Sequence, residues 1–220
     1  IGGRPPGSGP PDSRTITEEG VVIDLVKLVD GGRLCEAEAR AVLALGPWPA
    51  RNPDQNMADL KAQVAANETG RRELARVVAR HGLDVVEAYM GHVQANAAES
   101  VARVIAGLRD GAFDVEMDHG AHIRVKVEID QAARRARVDF TGTSDQHEGN
   151  YNAPISIARA VVLYVFRTLV GAEIPLNEGC LAPIEIVVPQ GCLLNPVAPA
   201  AVIAGNTEVS QAACNALLGA

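Results

Sequence analysis

The sequence predicts an α+β fold with a mixed or antiparallel sheet and a long αα-hairpin. Three observations predict it. Apolar residues recur at helical spacing from Met57 to Leu108. The period then drops to two between Phe113 and Phe140. From Asp139 onward, apolar segments are punctuated by bends rich in Asn, Gly and Pro. These are the marks of helices, a half-wet sheet and a loop-built end. Of the 220 residues 47% are hydrophobic but only 3% aromatic, so the core must be built from Ala, Val, Leu and Ile.

The elements follow in order. Residues 1–20 are Gly/Pro/Ser-rich and are expected to be extended. The β-branched run within Gly20–Asp30 predicts a strand closed by Gly31 and Gly32. Residues 35–45 predict a short helix stopped at Gly46, and PWPARNP a rigid connector. The first long helix opens at Asn52-Pro53, a cap followed by a first-turn proline, and stops at Gly82. The second opens at Asp84 with Glu87 three residues on, a capping-box pattern. Its apolar face runs through Val86, Met90, Val93, Ala97, Val101, Val104 and Leu108, and the two helices read as a hairpin. Phe113, Val115 and Met117 then alternate with polar residues. Asp118-His119-Gly120 is a turn. Ile123, Val125, Val127 and Ile129 face one side and Arg124, Lys126, Glu128 and Asp130 the other, and a third strand spans Ala136–Phe140. Pro154–Val170 reads as a buried helix, Ile184–Val188 as a short buried strand, and Val209–Leu218 as a helical pattern. The chain thus divides into 1–50 (loop, strand, short helix), 51–110 (helical hairpin) and 111–220 (meander, buried helix and pocket loops).

Bulk properties narrow the function. The formal charge is −7, which argues against a nucleic-acid partner, because phosphate binding needs clustered Lys and Arg. No apolar stretch approaches the roughly 20 residues of a membrane span. The opening IGGRPPGSGPP lacks the features of a signal peptide. Cys35, Cys180, Cys192 and Cys214 show no CxxC spacing and read as reduced thiols of a cytoplasmic protein. Both ends read as cut, as in a fragment. Five bends stand out: DFTGTS (Asp139–Ser144), GNYNAP (Gly149–Pro154), IPLNEGC (Ile174–Cys180), LLNP (Leu193–Pro196) and AGNTEVSQ (Ala204–Gln211). Gly permits close backbone approach, Asn and Asp satisfy turn backbones, and Pro fixes φ. The same devices at the mouths of apolar elements build either a polar pocket or a set of well-made turns.

With those motifs the chain resembles the hydantoinase B/oxoprolinase family across its full length. PPDSRTITEEG (Pro10–Gly20), ARNPDQNMADLKAQVAAN (Ala50–Asn67), YMGHVQANAAESV (Tyr89–Val101), VDFTGTS (Val138–Ser144) and IPLNEGCLAPIEIVVPQG (Ile174–Gly191) carry the resemblance, with GNYNAP, LLNP and GNTEVSQ. On that resemblance residues 1–220 are an internal fragment of one hydantoinase B-type domain. It implies ATP-dependent hydrolysis of C–N bonds in cyclic amides, of the 5-oxoprolinase or hydantoinase type. It also implies a partner A-type ATPase, as a subunit or a fused region, that binds ATP and Mg. A carboxylase subunit of the acetone or acetophenone type and a non-catalytic scaffold for the A subunit are the rival readings. No GxxxxGK[ST] loop, kinase loop or dinucleotide fingerprint is present, in keeping with nucleotide binding elsewhere. In metal-containing relatives the ligands precede the IGG that opens this chain. No metal ligand is therefore assigned here, a divalent metal is expected only in the full-length protein, and the fragment alone is expected to be inactive.

Candidate site residues follow, each with its plainer reading. Asn150 and Asn152 offer a donor and an acceptor to a lactam or imide, or else cap the helix after Pro154. Asn206, Glu208, Ser210 and Gln211 precede a helix. Glu208 is the candidate general base, or a first-turn residue behind an Asn206 or Thr207 cap. Asn206 and Gln211 are candidate substrate contacts. His92, with Asn96 and Glu99 along one helix face, either faces the pocket or sits in a helix interface. His119, His122 and Asp118 suit a solvated hairpin better than a metal site. Arg4, Arg14 and Arg51 either grip a carboxylate or remain solvated. No GxSxG elbow or locally paired Cys supports a covalent nucleophile.

Overall fold

A computed structural model describes residues 1–4 and 9–220. Residues 5–8, part of the stretch expected to be extended, lie outside the described residues. The chain forms two compact units, Ile1–Val86 and Glu87–Ala220.

In the first unit a single helical turn, α1 (Ile16–Glu19), interrupts the expected extended stretch. The Glu18 carboxylate reaches back to accept from the Thr15 N–H (3.2 Å), which fixes the start of the turn. The strand expected over Gly20–Asp30 shrinks to β1 (Val29–Asp30), paired antiparallel with β2 (Arg33–Leu34) around Gly31-Gly32. Val21–Lys27 forms no strand, and Leu25 is fully exposed. β-branched residues favour a pleated backbone only where a neighbouring strand takes up its N–H and C=O groups. Helix α2 (Glu36–Leu43) buries Ala39 and Leu43 against Met57 in a small core, with Leu28, Ala50 and Leu60 at its edge.

Helix α3 (Pro53–His81) starts where the sequence placed it. The Asn52 side chain accepts from the Gln55 N–H (3.2 Å), and Pro53 fills the first turn, where its missing N–H costs nothing. It stops at Gly82, whose φ of +86° suits a residue without Cβ and whose N–H donates to the Val78 carbonyl (2.8 Å). Met57 is its one buried residue, while Leu74 and Val77 are exposed. Short-range pairs such as Arg71–Glu68 and Arg76–Glu73 support its wet surface. Helix α4 (Leu83–Ile105) follows after Gly82 alone. Val86 is buried, as expected, but Met90 and Val93 are 49% and 42% exposed. Most of the burial on α4 lies in its C-terminal half, at Ala97, Val101, Ala102 and Ile105. The burial expected of the middle of the apolar stripe is not observed at Met90 and Val93.

The second unit holds a four-stranded mixed sheet in the order β3-β4-β5-β6. β3 (Gly111–Glu116) pairs antiparallel with β4 (His122–Asp130), and β4 with β5 (Arg135–Asp139). β6 (Ile184–Val187) joins β5 in parallel, with Val138 opposite Ile186. Alternation sorts the two faces. Ile123, Val125, Val127, Ala136 and Val138 enter the core. Arg124, Lys126, Glu128, Arg137 and Glu185 stay wet; Lys126 pairs with Glu128 along β4 (2.7 Å), and Arg137 with Glu185 across strands (3.0 Å). Helices α5 (Ile155–Leu169) and α6 (Glu208–Gly219) pack on each other, and α6 packs on β3 and β4. Ala158, Val161, Val162, Val165 and Phe166 are buried while Ile155, Tyr164 and Leu169 are exposed, so the helix expected to be buried is buried along one face only.

Candidate functional site

Four of the five bends meet in space. Thr143 and Ser144 tie the first to β4: the Thr143 hydroxyl donates to the Arg124 carbonyl (3.1 Å), and the Ser144 hydroxyl accepts from the His122 N–H (2.9 Å). The Leu193 N–H donates to the Ser144 carbonyl (3.0 Å). The Leu193 carbonyl accepts from the Ala153 N–H (2.7 Å), joining LLNP to GNYNAP. The Asn150 carbonyl accepts from the Ala204 N–H (3.1 Å), which draws in the 3₁₀ turn Ile203–Asn206. Gly205 lies so close that a Cβ there would stand 2.4 Å from the Asn152 carbonyl oxygen and 2.7 Å from Ala153 Cα. Only glycine fits that approach. The fifth bend sits apart. Asn177 accepts from the Gly179 N–H (2.8 Å) to open a 3₁₀ turn, and the preceding Ile174 carbonyl is held by the Arg167 guanidinium (2.8 Å) beside α5.

Asn152 is fully buried and spends its whole amide on this loop knot. Its Oδ1 accepts from the His147 N–H (2.7 Å), and its Nδ2 donates to the carbonyls of His147 (3.0 Å), Gly149 (2.9 Å) and Ala201 (2.9 Å). An amide has two donor hydrogens, so these three contacts share them, and none is left for a ligand. The expected substrate contact is thus a staple that sets the shape of the site. Nor does either Asn cap α5, whose N-cap is Pro154. Asn150 is buried beside it.

Beside the knot, α5 and α6 frame an open groove of about 380 Å3. Ile157, Val161 and Tyr164 line it from α5, Asn206 from the 3₁₀ turn, and Gln211 and Cys214 from α6. Two of the predicted contacts, Asn206 and Gln211, therefore share one concavity. The Gln211 amide donates to Asn215 Oδ1 (3.1 Å), a turn further on. Burial raises the Cys214 thiol above its ordinary range. Glu208 is exposed in the first turn of α6, immediately behind the Thr207 N-cap, and is not part of the groove lining. His92 is exposed on α4 with its ring edge-on to Tyr89 at 5.8 Å, and it is not part of the groove lining.

Sequence reasoning did not assemble one further cluster. His119 from the β3–β4 turn meets His147 and Tyr151, with ring centroids 4.7 Å and 4.5 Å away, and His147 and Tyr151 are 5.6 Å apart. Burial first, and then the neighbouring His147, holds the His119 imidazole below its usual pKa. Aromatic and imidazole residues in two separate bends were the available signal; their adjacency is long-range. His122 goes elsewhere and pairs with Asp114 (2.7 Å). That carboxylate is lowered first by Arg124 and then by His122. Among the described residues no group of three or more His, Cys, Asp or Glu is arranged to hold a metal ion. Arg4 pairs with Asp12 and Glu18, and Arg51 donates to the carbonyls of Gly3 and Arg4. All four cysteines are free. No helix among the described residues is long and apolar enough to cross a membrane.

Residues 1–220 match the family model described as hydantoinase B/oxoprolinase. The chain is 39% identical over 236 residues to a 5-oxoprolinase of Dictyostelium discoideum, covering all of this chain and 18% of that protein. The chain thus spans about a fifth of such a relative. Its fold is similar to the ATP-dependent caprolactamase from Pseudomonas jessenii, with a TM-score of 0.75 and 25% identity over 100% of this chain and 39% of that one. A nucleotide-free acetone carboxylase shares the fold at a TM-score of 0.72 and 18% identity, over 100% of this chain and 32% of its own.

Proposed function

Because this chain belongs to the hydantoinase B/oxoprolinase family, we propose that it forms the B-type, substrate-handling portion of an ATP-dependent cyclic amide hydrolase. The observation that carries the reading is the knot of four bends beside a groove that holds Asn206 and Gln211. A cyclic amide presents one carbonyl acceptor and one N–H donor. Side-chain amides carry both complements, so Asn206 and Gln211 suit such a ring, while Ile157 and Val161 meet its methylene edge. Asn152 holds the neighbouring loops in place, and Asn150 lies buried among them. We assign Glu208, at the exposed head of α6, the part of orienting or deprotonating the attacking water.

The head of α6 does not suit a nucleotide phosphate. A phosphate at the start of α6 would meet the Glu208 carboxylate, and Gly205 is packed against Asn152 and Ala153 rather than open to a ligand. In this reading ATP and Mg are bound by an A-type ATPase partner, as a separate subunit or a fused region, in a cytoplasmic hetero-oligomer or a longer chain.

The test is the full-length parent with its A region, assayed for ADP release coupled to opening of 5-oxoproline, hydantoin or a related lactam. No ATP-coupled opening of any cyclic amide rejects the proposal. Turnover that needs bicarbonate and a ketone reassigns the chain to a carboxylase. Glu208→Gln is expected to lower kcat roughly a hundredfold, the scale of a lost acid–base group. Unchanged turnover in that variant points instead to a scaffold.

A further inference from the structure

Helix α4 changes character at Ala97. From there on, Ala97, Val101 and Ile105 are buried in the core of the second unit. Before it, every residue from Glu87 to Asn96 is exposed, yet between Glu87 and Glu99 the helix carries no Asp, Glu, Lys or Arg. A helix made for water looks different. The second half of α3 carries Glu68, Arg71, Arg72, Glu73, Arg76 and Arg80, and most of these pair within a turn. On α4, helical spacing sets Tyr89, Met90 and Val93 in line with the buried Ala97 and Val101, although Met90 and Val93 are largely open. Ala88, Gly91 and Ala95 fall on the opposite side. Glycine weakens a helix interior, and its use there is accounted for when a second backbone passes close by. A Cβ on Gly91 would meet nothing within 4 Å among the described residues. A helix that is apolar on one side and small on the other, with no charge between, is built to be enclosed.

We infer that residues 88–98 are a docking element of the parent protein, enclosed on both sides by segments of the same B-type polypeptide that lie outside residues 1–220. Three observations select that occupant. Residues 1–220 account for 39% of the caprolactamase chain of like fold, so more than half of such a polypeptide is available to cover α4. The open stripe is continuous with a buried one, so a cover there extends an existing core. A second copy related by a twofold axis sets the same patch against itself, which covers one face of α4 and leaves the other wet. The lack of charge also states the chemistry of the cover: a close-packed apolar surface over Met90 and Val93, and larger aliphatic side chains over Gly91 and Ala95. The inference uses the family membership and does not depend on the cyclic-amide reading.

The test uses the full-length parent with its A region. Hydroxyl-radical footprinting of the wild-type protein should oxidise Met90 as slowly as Met57, which is 1% exposed, and not at the rate set by its 49% exposure within residues 1–220. Gly91→Leu should lower the melting temperature, because the added side chain meets the cover. On a wet helix the same change improves helix propensity and raises it. Met90→p-benzoylphenylalanine, irradiated in a mixture of isotopically heavy and light copies, should cross-link within one copy to a B-type peptide outside residues 1–220. Fast oxidation of Met90 or a higher melting temperature for Gly91→Leu overturns the inference. Cross-links to the A region, to a second copy or to residues 1–220 themselves overturn it too, as does a folded variant that forms none. Should the cross-linking variant fail to fold, the wild-type oxidation rate and the Gly91→Leu shift decide.

Discussion

Asn152 shows how a residue chosen for ligand chemistry can serve architecture instead. Its type and setting in GNYNAP mark it as special, but not which partner it takes, because His147, Gly149 and Ala201 reach it only after the chain has turned back. Asn152→Ala removes four contacts and leaves buried carbonyls unpaired, so it is expected to cost about 3 kcal/mol in urea unfolding. His119 supplies a pH signature. Its folded pKa lies below the ordinary 6.5, so the unfolded chain takes up the proton first. Nothing is lost above that value, and stability declines as the pH falls through 6.5 toward the lower folded value. Urea midpoints at about pH 7.5 and pH 5.5 should diverge less in His119→Gln than in wild type, and an NMR titration of the His119 ring should report the lowered value directly.

At the scale of elements, what was legible was local. Asn52-Pro53 and Gly82 bracket α3 because cap chemistry acts within a turn. The alternation from Ile123 to Ile129 gave β4 its wet and dry faces for the same reason. Val21–Lys27 misled because strand character needs a partner, and the sequence does not say that none arrives. Met90 and Val93 misled in a related way: spacing marks a stripe, not what covers it. The parallel seat of β6 was not legible either, since the residues that select it lie on β5. For the site, the convergence of bends was legible from their shared chemistry and held for four of five, whereas the His119–His147–Tyr151 contacts had no local trace. Gly205 tests the knot as an element. Gly205→Ala drives a methyl into the backbone of Asn152 and Ala153, which cannot yield as a side chain would. It should destabilise by about 2–4 kcal/mol in urea unfolding and raise the KM of the full-length enzyme for its amide.

For the whole molecule, the comparison of lengths decides what to expect of it in isolation. The chain spans 18% of a 5-oxoprolinase, and the first turn of α6 carries the Glu208 carboxylate where a phosphate would sit. Expressed alone, residues 1–220 should show no ATP turnover with or without a cyclic amide, while the full-length parent should release ADP when a cyclic amide is supplied, as a coupled ADP-release assay would read. The sheet carries one more consequence. β5 ends at Asp139 and its parallel neighbour begins at Ile184, so 44 intervening residues, α5 and the first three bends among them, must be traversed before that pair can close. Contacts so remote along the chain form slowly. The meander can zip early, but the pocket loops gain their final shape only when the last strand docks, so a nascent protein matures its chemistry after its scaffold.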